Sequence, residues 1–367
     1  MPPVNPYSSK HGPPSMVKRT LAFAISFILA SMTLSGCLSG DNDSTAGVEG
    51  VDTEDENPPF FEEGDYRCFE HDEETRCWLT HVPESVNGSE PVPLLLDLHG
   101  WSLSADRQKE LTGFDALADE VGAIVLYPQG LAKDGEPALG GSEESWNAGW
   151  CCGDAVVHEI DDLGFLVSLI EMAQDIHPVD PSRIYVTGWS NGCAMAHSLV
   201  FHHSDVIAAM GCMSMYLLDE IDPGYSPVPM MEVHGFVDDV VWYETTARSV
   251  VFNPSAWFDN EAYETGAIEN LYELAEANNC TGTLPDLNEP GSLYSTQGFT
   301  ECENGAEVRL MTIYAGTHNP YQNDYGEPQD WPHYIPGNGG LIPTEEIVWD
   351  FLSRFSKGEA CVDCDPA

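Results

Sequence analysis

The chain has 367 residues, 42% of them apolar, and carries 61 Asp+Glu against 13 Lys+Arg for a formal net charge of −48. That much apolar material supports a large core, and so acidic a surface repels nucleic acid and anionic membranes, which argues against polyanionic partners. Apolar runs persist through the middle of the chain, so the acidity reads as a solvated surface suited to a salty medium and not as disorder.

At the N-terminus, Lys18-Arg19 precede an apolar run from Leu21 to Ala30, which leads to Leu34-Ser-Gly-Cys37. A basic flank, a short apolar core and small residues describe a secretory signal, too short for an ordinary membrane span. Leu-Ser-Gly-Cys resembles the lipobox of secreted lipoproteins, in which the cysteine carries the lipid; a plain signal peptide with an incidental cysteine is the competing reading. The expectation is a signal peptide over 1–36, an acidic flexible tether over 37–62, a folded domain over 63–357 and an acidic tail over 358–367. The protein is then extracytoplasmic, and its membrane contact is a lipid at Cys37. Of 11 cysteines, ten remain after Cys37, an even number in an exported chain. Cys68/Cys77 and Cys280/Cys302 read as local staples and Cys361/Cys364 as a tight third pair, while the pairing of Cys151, Cys152, Cys193 and Cys212 stays open. Zinc at Cys361-x-x-Cys364 is the weaker alternative, because disulfides are favoured outside the cell.

Along the folded part, Tyr66–Phe69 and Cys77–Val82 read as a hairpin, and Val92–Leu98 as a strand buried on both faces. Lys109–Val121 has helical spacing, Ala123–Tyr127 is a second buried strand, and Asp161-Asp162 can cap a helix whose apolar face runs from Leu163 to Ala173. Strands are expected at Ile184–Thr187, Val206–Met210, Pro229–His234 and Val308–Tyr314, with helices at Ala267–Ala277 and Thr344–Phe355. Strands alternating with helices imply an α/β domain with a mostly parallel sheet and helices on both faces.

The stretch that carries chemistry is Gly188-Trp-Ser190-Asn-Gly192, entered by a β-branched strand and left by a helical segment. This is the context of a nucleophile elbow, where glycines two residues either side of the serine remove side chains that would collide with the neighbouring strand and helix. An ordinary strand-to-helix turn with a capping serine is the bland alternative. A serine needs a base, and the base an orienting acid, in the chain order Ser, Asp, His. His234-Gly-Phe-Val-Asp238-Asp239 follows one strand and Ala315-Gly-Thr-His318 the next. Asp238 can therefore hold the tautomer of His318, and His318 can take the Ser190 proton; Asp239 is the rival acid. His99 and His234 also end strands but sit before tight His-Gly turns. Oxyanion donors are expected from the backbone N–H groups of Asn191 and Trp101. Catalysis of this type needs no cofactor and no metal.

Six separated motifs then carry a family resemblance: Leu98-His-Gly…Ser104-Ala105, Trp146–Gly153, Asp161–Phe165, Val179–Gly192, His234-Gly-x-x-Asp238 and Gly316-Thr-His318. Over about residues 90–320 the chain resembles the secreted polyhydroxybutyrate depolymerase family, related to feruloyl and acetyl-xylan esterases. The resemblance implies an α/β-hydrolase serine esterase and supports Ser190, Asp238 and His318 as its triad. Asn319-Pro320-Tyr321 stands where the family usually has Trp-Pro after its histidine, and Trp242-Tyr243 where relatives favour Pro-Tyr; both flank the expected acyl pocket. Trp101, Trp146, Trp150 and Trp242 are the candidate substrate contacts, with loop packing as the equal alternative for Trp146 and Trp150.

The expected function is a serine carboxylic-ester hydrolase acting through an acyl-enzyme on hydroxyalkanoate oligoesters, since the residues after 357 are too few for a polymer-binding module. Feruloyl or acetyl-xylan ester hydrolysis is the first alternative; a prolyl-oligopeptidase-like peptidase and an inert binding lipoprotein are weaker ones. For the anchor, Cys37→Ala should move the protein from the membrane fraction to the soluble one, and an unchanged membrane share would count against lipidation.

Overall fold

The computed structural model describes residues 60–132, 144–149, 151–244, 266–326 and 334–358, all within one unit, Glu56–Ala367. The expected signal peptide, Cys37, most of the tether, Trp150 and the Cys361/Cys364 pair lie outside the described residues. In chain order the elements are β1 (Phe61–Glu63), β2 (Tyr66–His71), β3 (Glu74–His81), β4 (Val92–Leu98), α1 (Ala105–Leu111), α2 (Phe114–Val121), β5 (Ile124–Pro128), α3 (Gly153–Val157), α4 (Asp162–Ile176), β6 (Val179–Gly188), α5 (Asn191–His202), β7 (Ala209–Met213), β8 (Met230–Gly235), α6 (Ala267–Ala277), β9 (Leu287–Pro290), β10 (Tyr294–Phe299), β11 (Val308–Ile313) and α7 (Thr344–Leu352).

The strands form one sheet in the order β1-β2-β3-β5-β4-β6-β7-β8-β11-β10-β9. Its centre, β5-β4-β6-β7-β8-β11, is parallel, and both flanks are antiparallel. The central strands are apolar on both faces because both are covered. Leu94, Leu96, Ile184 and Val186 pack with Phe165 of α4, Leu199 of α5 and Leu271 of α6. The alternate residues Leu95 and Tyr185 pack with Leu111 of α1, Phe114 of α2 and Val348 of α7. This is the α/β-hydrolase arrangement, and its parallel centre brings the loops after β4, β6, β8 and β11 to one edge, where open α/β sheets bind ligands.

Several boundaries differ from the sequence-based expectations. The helix over Lys109–Val121 is two helices, because Thr112 leaves helical geometry with φ −87° and ψ 153°. Its hydroxyl donates to Asp97 Oδ2 at 3.1 Å, so the demand of a buried carboxylate outweighs helical continuity. The strand expected at Val206–Met210 begins only at Ala209, since Val206 N–H closes a turn on the His203 carbonyl. The tether ends earlier than residue 62, as Phe61–Glu63 pairs with Tyr66–Cys68. The closing helix stops at Leu352, and the β9–β10 hairpin lies in a stretch with little apolar alternation. Cys68–Cys77 and Cys280–Cys302 pair as expected, and the four open cysteines pair as Cys151–Cys152 and Cys193–Cys212.

Asp97 is fully buried in β4; among the described residues no cation pairs with it, and its donors are Gln108 at 3.0 Å, Thr112 at 3.1 Å and Thr187 at 3.1 Å. Burial pushes its carboxyl up to about 7 despite these hydrogen bonds, with Glu345 adding to the rise. A folded-state value above the unfolded one means that the stability it confers is complete below the unfolded pKa and is lost as pH rises through the folded one. Unfolding measured by denaturant should therefore show stability falling between about pH 4 and about 7, and Asp97→Asn should flatten that slope. An unchanged slope in the variant would refute the assignment.

Candidate active site

The elbow is set by sterics. A Cβ on Gly188 would run into the Gly192 carbonyl, and one on Gly192 into the carbonyls of Leu98 and His99. Ser190 between them has φ 54° and ψ −121°, a left-handed conformation that costs a non-glycine residue of order 1–3 kcal/mol. It stands as the N-cap of α5 but makes no side-chain capping hydrogen bond, which removes the bland reading of a capping serine. Its neighbours Trp189 and Asn191 are buried, whereas Ser190 is half-exposed.

The acid and base loops abut behind it. A side chain on Gly235 would collide with the Gly316 and Thr317 carbonyls, and Val237 N–H bonds to the Gly316 carbonyl at 3.0 Å. Asp238 is buried; its Oδ1 accepts the backbone N–H groups of Val240 at 2.8 Å and Val241 at 2.9 Å. Its Oδ2 accepts from His318 Nδ1 at 2.9 Å. Burial pushes the Asp238 carboxyl up, but the adjacent His318 and the hydrogen bonds from His234 and His318 outweigh it, so the group sits well below the usual carboxylate range. Asp239, the rival acid, faces solvent.

His318 is tied to the elbow by a residue the sequence did not single out. Trp189 donates its indole N–H to the His318 carbonyl at 2.7 Å, and the two rings lie 5.4 Å apart. Tyr321, fully buried, packs edge-on to Trp189 at 6.4 Å, which gives the Asn319-Pro320-Tyr321 departure a structural role beneath the base. The signal for Trp189 was present as the variable residue of the Gly-x-Ser-x-Gly string, but only the fold aims it at the histidine loop.

The loop after β4 also reaches the elbow. A Cβ on Gly100 would lie 3.3 Å from the Trp189 carbonyl and 3.5 Å from Ser190 Cβ. Among the described residues, neither the Trp101 nor the Asn191 N–H donates to another backbone carbonyl outside the helices and strands. His99 is held as one tautomer, its Nδ1 donating to the Gly100 carbonyl at 2.8 Å and its Nε2 accepting Gly130 N–H at 2.8 Å. Burial lowers its pKa to about 4, so it is neutral at pH 7.

The candidate substrate contacts separate. Trp101 and Trp242 are half-buried, and Trp150 lies outside the described residues. Trp146 is 0% exposed and donates its indole N–H to the His99 carbonyl at 2.9 Å, so it packs the loop and does not face substrate. Asn191 uses its side chain to hold that loop, accepting Trp146 N–H at 2.7 Å and donating to the Trp146 carbonyl at 3.1 Å. Among the described residues, two side-chain groups have metal-like spacing, Cys193/His197/Cys212 and Glu63/Cys68/Cys77, but each contains a disulfide pair and so lacks free thiolates.

Residues 79–257 match the family described as Esterase PHB depolymerase, a stretch that contains Ser190 and Asp238 and ends before His318. The chain is 30% identical over 283 residues to feruloyl esterase B of Piromyces equi, covering 76% of this chain and 45% of that protein. It is 23% identical over 268 residues to the bifunctional acetylxylan esterase/xylanase XynS20E of Neocallimastix patriciarum, covering 71% of this chain and 35% of that protein. The chain thus spans less than half the length of either relative. A solved acetyl xylan esterase from Aspergillus awamori aligns with a TM-score of 0.49 at 13% identity, covering 76% of this chain and 94% of that one. Residues 79–257 are thus similar to the Esterase PHB depolymerase family.

Proposed function

We propose that the protein is a serine carboxylic-ester hydrolase. The observation that carries the reading is the buried Asp238–His318 hydrogen bond of 2.9 Å on loops adjoining a serine held at φ 54°. In this reading Ser190 Oγ attacks the ester carbonyl as His318 takes its proton, and Asp238 keeps Nδ1–H of His318 donating so that Nε2 is the basic nitrogen. The amides of Trp101 and Asn191 receive the developing oxyanion. His318 then returns the proton to the departing alcohol, and a water activated by the same imidazole releases the acid from Ser190.

The first substrate class is hydroxyalkanoate oligoesters, supported by the family match. A second reading, feruloyl or acetyl esters of polysaccharides, is supported by the two relatives that carry those names. Four disulfides among the described residues support an extracytoplasmic site of action, with a lipid at Cys37 as the proposed tether of the esterase domain.

Ser190→Ala should lower turnover of a short p-nitrophenyl ester by on the order of 10⁶, as loss of the nucleophile does in triad enzymes; retention of full activity would sink the mechanism. Hydroxybutyrate oligomers, methyl ferulate and acetylated xylan, assayed side by side, separate the two substrate readings by their kcat/KM values.

A further inference from the structure

Behind the Asp238–His318 pair the fold buries a second carboxylate–imidazole pair. His234, at the end of β8, is 0% exposed. Its Nδ1 lies 2.9 Å from Glu232 Oε1. Its Nε2 lies 2.8 Å from the Val241 carbonyl oxygen and 3.4 Å from Asp238 Oδ2, the same oxygen that accepts from His318. Both ring nitrogens therefore face oxygen acceptors. A neutral imidazole has a single N–H and would set a nitrogen lone pair against an oxygen one, so this environment asks both nitrogens to donate.

The surroundings hold the arrangement from several elements. From α6, Asn270 donates its side-chain N–H to Glu232 Oε2 at 2.6 Å and accepts Leu217 N–H at 3.1 Å. Tyr216 stacks on the His234 ring at 5.1 Å, and Tyr243 meets it edge-on at 5.8 Å. The Tyr216 hydroxyl donates to the Trp242 carbonyl at 2.6 Å, with its oxygen 3.5 Å from His234 Nε2, and Tyr243 pairs with the Thr312 hydroxyl at 2.7 Å. Burial raises both phenols, and Glu232 raises them further, so they stay neutral. The charged groups facing His234 are then Glu232 and Asp238, with Glu269 of α6 acting on the two tyrosines at longer range.

We propose that His234 is a positioning residue of the hydrolytic site: an imidazolium backed by Glu232 and Asn270 that shares Asp238 Oδ2 with His318 and keeps that carboxylate ionised and in register. The inference rests on the triad reading above. Along the line Glu232, His234, Asp238, His318 the charges alternate, and a proton gained by His318 from Ser190 completes the alternation. Burial alone would push the His234 ring down, but the hydrogen bonds and charges of Asp238 and Glu232 raise it to about 10. Burial outweighs His234 and Asn270 and leaves the Glu232 carboxyl raised; the charged form of the pair is the one in which the Asn270 N–H at Oε2 and the His234 ring at Oε1 both donate.

The charge state is read in the intact native protein by ¹⁵N NMR of its histidine side chains at pH 8, where both His234 ring nitrogens should carry protons. A neutral ring there would overturn the proposal without any variant having to fold. In His234→Gln, removal of the positive charge leaves the field of Asp238 on His318 uncompensated. On a short p-nitrophenyl ester, kcat should fall roughly 10- to 100-fold, the scale of one lost charge-assisted hydrogen bond, with KM little changed. The acid limb of kcat/KM should move to higher pH, a change that a purely structural role would not produce. A folded variant with native kcat and an unmoved acid limb would also overturn it. An inert native protein would strike at the esterase reading instead, and the NMR measurement would still decide the His234 charge state.

Discussion

Three backbones meet at the end of β6 with no side chain between them, and the candidate site depends on that approach. Gly188 lies against the Gly192 carbonyl, Gly192 against those of Leu98 and His99, and Gly100 against that of Trp189. The contact joins β4, β6 and α5 at one point and forces the chain through a left-handed residue, Ser190. Strain of that kind persists only where the surroundings over-determine it. Here Trp189 and Asn191 are clamped on either side, one to the histidine loop and the other to the Trp146 loop. The same two residues thus hold the serine and join it to the loops whose chemistry it needs.

Charge inside the protein is organised very differently from charge on its surface. The chain carries −48, yet its buried acids are met by specific partners. Asp162 pairs with Arg76 at 2.5 Å with both side chains inaccessible, and Glu232 and Asp238 share His234 between them. Asp97 and Glu345 differ: among the described residues their hydrogen bonds come from neutral donors, and burial raises both carboxyls. Buried charges cost several kcal/mol each unless paired, so the pairs behind the site keep ionised groups where water cannot reach them.

Much of the fold was legible because its signals are local. The apolar runs of β4 and β6, the capping Asp161 with its bond to Gly164 N–H, and the short-range disulfide spacings depend on residues close in sequence. The misplaced boundaries share a different cause. Thr112 breaks a helix for the sake of Asp97, fifteen residues away. The β9–β10 hairpin forms because β11 offers it an edge, and nothing in Leu287–Pro290 announces a strand. Trp146 is buried by contact with His99, forty-seven residues distant, so its exposure could not be judged from its neighbours.

Residue order alone determined the elbow, the strand-end placement of an acid and a histidine after it, and the glycine turns beside them, since backbone sterics and strand–loop boundaries are written within a few residues. It did not determine which of Asp238 and Asp239 turns inward, which tryptophans are free, or that a second histidine stands behind the acid. Those depend on β8 and β11 lying side by side in the sheet, which brings together residues 80 positions apart. Such contacts are set by packing and by the pairing of buried charges, and only the tertiary structure supplies both.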